Sequence, residues 1–112
     1  MFTKKILVDL DGVLNEYGKE PYDENNIPKI KTGAKEFVQE LSMLGDLYLF
    51  TSRNLMLSAK WLIENNIDKY FDNVTSTKPL ASIYLDDRAL KFEGNYDKTL
   101  NNIKNYKVYW KN

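Results

Sequence analysis

Ile6-Leu7-Val8-Asp9-Leu10-Asp11-Gly12-Val13 decides how this chain is read. Three aliphatic residues stopped by an acid make a short run of the kind found in parallel strands buried on both faces, and such strands end at the rim of the sheet. Ile83-Tyr84-Leu85 runs into Asp86-Asp87 in the same manner. Laid side by side, the two strands gather Asp9, Asp11, Asp86 and Asp87 at one spot. Unit charges about 4 Å apart repel by roughly 1 to 4 kcal/mol per pair, according to the local dielectric. A cation among them removes that cost, and ligands that are all oxygen point to Mg2+.

Outward from these runs the chain alternates. Residues 12–30 are polar, contain Gly18, Pro21 and Pro28, and read as a loop or small hairpin. Thr32 caps and Gly45 ends a helix in which Phe37, Val38, Leu41 and Leu44 recur at helical spacing. Residues 47–51 form a second buried strand, and Asn54 caps a helix with Leu57, Trp61 and Leu62 on its apolar face. Val74 marks a weak third strand and residues 81–86 the fourth. Residues 97–105 make a last helix with Leu100 and Ile103 inward, and residues 107–110 a final strand. Tyr106, Tyr109 and Trp110 are expected to pack against that helix rather than to stack on bases. Strand and helix in alternation predict an α/β, Rossmann-like fold: one domain over residues 1–112, about five parallel strands, and helices on both faces. Ligands of such sheets bind beyond the carboxyl ends of the strands, where the strand order reverses.

Composition narrows the chemistry. A chain of 112 residues suits one core, and 43% apolar with 29% charged residues is ordinary for a soluble globular protein. Sixteen basic against sixteen acidic residues give a formal charge of zero, which lends no support to a polyanion partner. Without cysteine there is no disulfide, thiolate zinc site or thiol nucleophile, and without histidine no imidazole base. Catalysis is left to carboxylates, hydroxyls, lysine and a metal. Lys4 and Lys5 precede an apolar run cut by Asp9, so no signal peptide is expected. No stretch approaches membrane-spanning length, and a cytoplasmic protein without a membrane partner is the expectation.

Val8-Asp9-Leu10-Asp11-Gly12-Val13, Leu49-Phe50-Thr51-Ser52-Arg53, Lys78-Pro79 and Leu85-Asp86-Asp87-Arg88, in that order, resemble the four motifs of the haloacid dehalogenase-like superfamily. Each motif alone is weak; all four in order and at the family's spacing, each read as following an apolar strand, are specific. Receiver domains of response regulators gather similar groups, but there the adjacent acidic pair follows the first strand. Here it comes last.

The resemblance implies a three-layer sandwich with strand order 5-4-1-2-3 and a phosphatase or phosphotransferase. Asp9 corresponds to the nucleophile that takes the phosphoryl group, and Asp11 to the general acid that protonates the leaving oxygen and later activates water. Members lacking the second aspartate are mostly dehalogenases or transport ATPases. Thr51 corresponds to the residue that offers its hydroxyl and backbone N–H to phosphate oxygens, with Ser52 a competitor, and Lys78 to the cation that neutralises phosphate and nucleophile. Asp86 would ligate Mg2+ directly; Asp87 would act through water or hold Lys78; Asp9 and the carbonyl of Asp11 would complete the protein ligands. Arg53 and Arg88 are read as surface residues paired with acids, substrate contact being the alternative.

Family members usually read substrate through a cap domain. Residues 12–31 are too short for a helical cap, and residues 53–76 are taken up by a core helix and strand, so the chain is expected to be capless. An open site implies a bulky phosphorylated substrate (a sugar chain, a protein or a nucleic-acid end, the last unsupported by charge) or a lid from a neighbouring subunit. Asn15, Glu16, Tyr17 and Lys19 would be the nearest specificity element.

Overall fold

Ile6, Leu7 and Val8 are at most 3% exposed, as a central strand requires. They belong to β1 (Lys5–Asp9) of the computed structural model, which describes residues 4–78 and 80–111. β2 (Asp46–Phe50) and β4 (Ile83–Leu85) flank β1, and β3 (Phe71–Thr75) lies beyond β2. All pairings are parallel, in the order β3-β2-β1-β4, which is consistent with a Rossmann-like fold. The described residues form four strands, not the expected five: the relative order 4-1-2-3 is present, and the fifth strand expected beside β4 is not. Residues 107–110 form no strand, because the segment's donors are drawn across the strand ends to Gly12 and Asp87 instead of running beside β4.

α1 (Ala34–Ser42) joins β1 to β2, and α2 (Leu55–Glu64) joins β2 to β3. Both crossovers advance the same way along the sheet, and crossovers of one hand that do so leave their helices on one face. On that face Ile6, Val8, Leu47 and Leu49 pack with Ala34, Val38, Trp61, Leu62 and Ile67 into one core. Each large aliphatic side chain buried there stabilises by roughly 1.5–3 kcal/mol. The side chain of Asn54 accepts the Leu57 N–H at 3.0 Å and so caps α2. The cap expected from Thr32 is not made; Gly33 stands at the start of α1 with no side-chain hydrogen bond.

The opposite face differs from expectation. The return from β3 to β4 runs through residues 76–82 with no helix among the described residues. α3 (Tyr96–Asn105) buries no residue, and its Leu100 and Ile103 are 57% and 56% exposed rather than inward. Tyr48, Phe50 and Tyr84, which alternate onto this second face, remain partly open. Helices thus cover one face of the sheet, and the expectation of both faces is corrected.

Two features place the site. The strand order reverses between β1 and β4, so a crevice opens at their carboxyl ends. Residues 12–31 fold back as a small hairpin above it, with Asn15 bridged to Ile30, Glu16 N–H donating to Lys29 O at 2.9 Å and Lys31 N–H to Leu14 O at 2.9 Å. Among the described residues no helix is long and apolar enough to cross a membrane.

Candidate functional site

Val8 pairs with Leu85 in the β1–β4 register, which sets Asp9 and Asp86 beside each other as the two strands end. One carboxylate oxygen each from Asp9, Asp86 and Asp87 lies within 4.8 Å of the others. They line a hollow of about 290 Å³ together with Asp11, Tyr17, Tyr22, Ser52 and Arg88. The acids singled out in the sequence are brought together.

The field at Asp9 follows from this crowding. Its carboxyl is pushed up to about 8 from an ordinary 3.8, first by burial, then by the hydrogen bond shared with Asp87, then by the charges of Asp86, Asp87 and Asp11. Two carboxyls can share a hydrogen bond only through a proton. A cation among the three would take over what that proton does, and oxygen donors of this kind suit a hard divalent ion. The donor set fits such an ion.

Asp11 is held differently. Arg53 donates its Nε–H to both carboxylate oxygens, at 3.1 and 2.9 Å, and Asn15 Nδ2–H donates to Oδ1 at 3.0 Å. Asn15 is wholly buried and also accepts the Gly12 N–H at 3.2 Å, so it fixes the turn that carries Asp11. Arg53 is not a surface residue. It is 3% exposed, its Nη1 donates to Asp23 O at 2.8 Å, and the Tyr22 ring lies 4.7 Å from its guanidinium carbon. A guanidinium that cannot lose its charge is buried only with such partners.

The remaining expected residues divide. Thr51 is buried and does not line the hollow. Its N–H donates to Thr75 O and its hydroxyl accepts the Arg53 N–H, both at 3.0 Å, so its backbone donor is already engaged. Of the two hydroxyl residues in this motif, Ser52 lines the hollow. Lys78 is exposed, with Nζ 4.4 Å from the centroid of the Tyr84 ring, and shares a smaller recess with Asp9 and Asp86. Among the described residues no ion pair joins it to Asp87; Pro79 of the same motif lies outside them. Glu16 and Lys19 pair with each other at 3.0 Å, where the amine lowers the glutamate's pKa, while Tyr17 lines the hollow.

The tail residues are the group that sequence reasoning missed. Trp110 donates its indole N–H to Asp87 Oδ2 at 2.6 Å, Tyr106 donates its hydroxyl to Asp87 O at 3.0 Å, and Tyr109 to Gly12 O. They do not pack as a strand against α3. Trp110 meets Tyr17 edge to face at 5.1 Å, and the Arg88 guanidinium lies 5.1 Å from the Trp110 ring. Their available signal was polar: a tyrosine or tryptophan beside charged residues, in a segment too weakly alternating for a strand, has a donor to satisfy.

No family model, curated protein or solved structure matches this chain.

Proposed function

We propose that this chain is a capless, Mg2+-dependent phosphohydrolase of the haloacid dehalogenase-like kind, acting on phosphate monoesters. The observation that carries the reading is the meeting of Asp9, Asp86 and Asp87 within 4.8 Å, with Asp11 in the same hollow. Asp9, Asp86 and Asp87 would hold the ion, with the Asp11 carbonyl. Bound there, Mg2+ would neutralise the carboxylates and polarise a phosphate oxygen.

Asp9 then attacks phosphorus. A bond forms from its carboxylate oxygen, the bond from phosphorus to the ester oxygen breaks, and Asp11 gives that oxygen a proton. In the second half Asp11 takes a proton from water, which attacks the aspartyl-phosphate and frees Asp9 and inorganic phosphate. Ser52 lining the hollow and Lys78 in the adjoining recess supply donors to the phosphate. Among the described residues only the short hairpin of residues 12–31 stands over the hollow, so a bulky phosphorylated substrate fits this reading.

One observation favours a second reading, a phosphate-binding domain or phosphotransferase that turns over water poorly. Arg53 engages both oxygens of Asp11 and Asn15 adds a second donor to Oδ1, so exchange of a proton with substrate or water is left to the remaining lone pair of Oδ2. Hydrolysis of p-nitrophenyl phosphate with Mg2+ separates the two. Turnover that disappears in Asp9→Asn supports the hydrolase; Mg2+-dependent phosphate binding without turnover supports the second reading.

A further inference from the structure

We infer that Trp110 is a positioning residue that orients Asp87 for the cation, so that the C-terminal segment completes the site. The inference rests on the proposed metal reading and adds a residue to it.

Three successive aromatic side chains of one segment end on two residues, Asp87 and Gly12. Tyr106 grips the Asp87 carbonyl, Trp110 its carboxylate, and Tyr109 the carbonyl of Gly12, which immediately follows Asp11. Packing alone does not require that arrangement, since the same rings exposed to water would satisfy their own donors. The indole N–H is a donor without acceptor capacity or charge. It can therefore hold one oxygen of Asp87 without competing with a cation for the other. Fixing Oδ2 at 2.6 Å fixes the rotation of the carboxylate, and with it the direction of Oδ1.

The ring is itself held. Tyr17 meets it at 5.1 Å with planes at 89°, Arg88 covers it, and Gly18 lies so close that a Cβ there would run into the six-membered ring. Partners that orient a ligating side chain typically change metal affinity by roughly 10- to 100-fold when removed. Asp87 and its carboxylate are oriented in this way by a residue 23 positions away.

Trp110→Phe keeps most of the ring and deletes the N–H. Calorimetric titration of the folded variant with Mg2+ should show affinity roughly tenfold weaker. The protein has two tryptophans, and the other, Trp61, donates its indole N–H to Pro28 O at 3.2 Å, away from the acids. In 15N–1H spectra of the unaltered chain, Mg2+ should shift the Trp110 indole resonance and leave that of Trp61 in place. The shift reports that the indole senses the cation through Asp87 and the loss of affinity that it orients the carboxylate, and an unmoved resonance decides against the inference even if the variant fails to fold. Unaltered chain that binds Mg2+ with its Trp110 resonance unmoved, or a folded Trp110→Phe with unchanged affinity, overturns the inference alone. No Mg2+ binding by the unaltered chain overturns the metal reading and this inference with it.

Discussion

Arg53 and Asp11, 42 residues apart, meet through the Arg53 Nε–H and both carboxylate oxygens, with only 1% of the arginine side chain and 19% of the aspartate side chain exposed. The pair ties the end of β2 to the turn after β1. Because Arg53 also donates to Asp23 O, it anchors the hairpin above the hollow as well.

Arg53→Ala should therefore destabilise strongly. Removing one partner of a buried pair costs about 3–5 kcal/mol, and the partial exposure of Asp11 places this case near the lower end. Urea unfolding measures it. Arg53→Lys should recover only part of the loss, because an ammonium cannot reproduce the planar donor fork. A change under about 0.5 kcal/mol in Arg53→Ala would mean the pair is an ordinary surface contact.

Asp9 makes stability depend on pH with a sign opposite to that of most acids. In the folded chain its carboxyl is raised to about 8, against 3.8 ordinarily. Below the lower value both folded and unfolded chains hold the proton. Between the two, the unfolded chain releases it and the folded chain keeps it, so the folded state is the more protonated and stability falls as pH rises. With a chelator present, Asp9's contribution should lower the melting temperature between pH 5 and pH 8. Asp9→Asn should lose that part of the slope, and Mg2+ at pH 8 should restore stability by displacing the proton. Equal slopes in Asp9→Asn and the unaltered chain would contradict the assignment.

What could be read in advance divides along the same physical line. Asp9 and Asp86 were legible because each closes a short apolar run, and strand ends in a parallel sheet share one rim. Arg53 was not: nothing local to Thr51-Ser52-Arg53 tells that its partner sits 42 residues earlier. The second sheet face was misjudged because alternation of strand and helix predicts a helix in every connection, whereas the described residues of 76–82 return to β4 without one. Trp110 was placed in a strand because its segment carries aromatic and β-branched residues, and local propensity is silent about a hydrogen bond to Asp87.

The one-sided core predicts unequal truncations. Leu49→Ala, on the face covered by α1 and α2, should cost about 2–5 kcal/mol, since the side chain is fully buried among Ile6, Val8 and the helices. Leu100→Ala on α3 should cost less than about 0.5 kcal/mol despite its place on an amphipathic helix, because it is 57% exposed. Chemical denaturation of both variants tests the difference. A Leu100→Ala loss comparable with that of Leu49→Ala would place α3 against the sheet after all.

Gly12 and Gly33 together separate backbone strain from crowding at the site. Both adopt positive φ, 84° and 88°, where an L side chain is strained by about 1–3 kcal/mol. A Cβ on Gly33 would meet nothing within 4 Å, whereas one on Gly12 would overlap the Asp87 carboxylate and come within 3.2 Å of Trp110 Nε1. Gly33→Ala should lower the melting temperature and leave Mg2+ affinity unchanged. Gly12→Ala should lower it further and weaken Mg2+ binding as well, because Asp87 and the indole that holds it must both move. Calorimetry on the two variants gives the comparison. Equal Mg2+ affinities would show that the close approach of Gly12 to Asp87 has no bearing on the cation, and that only the turn's conformation depends on this glycine.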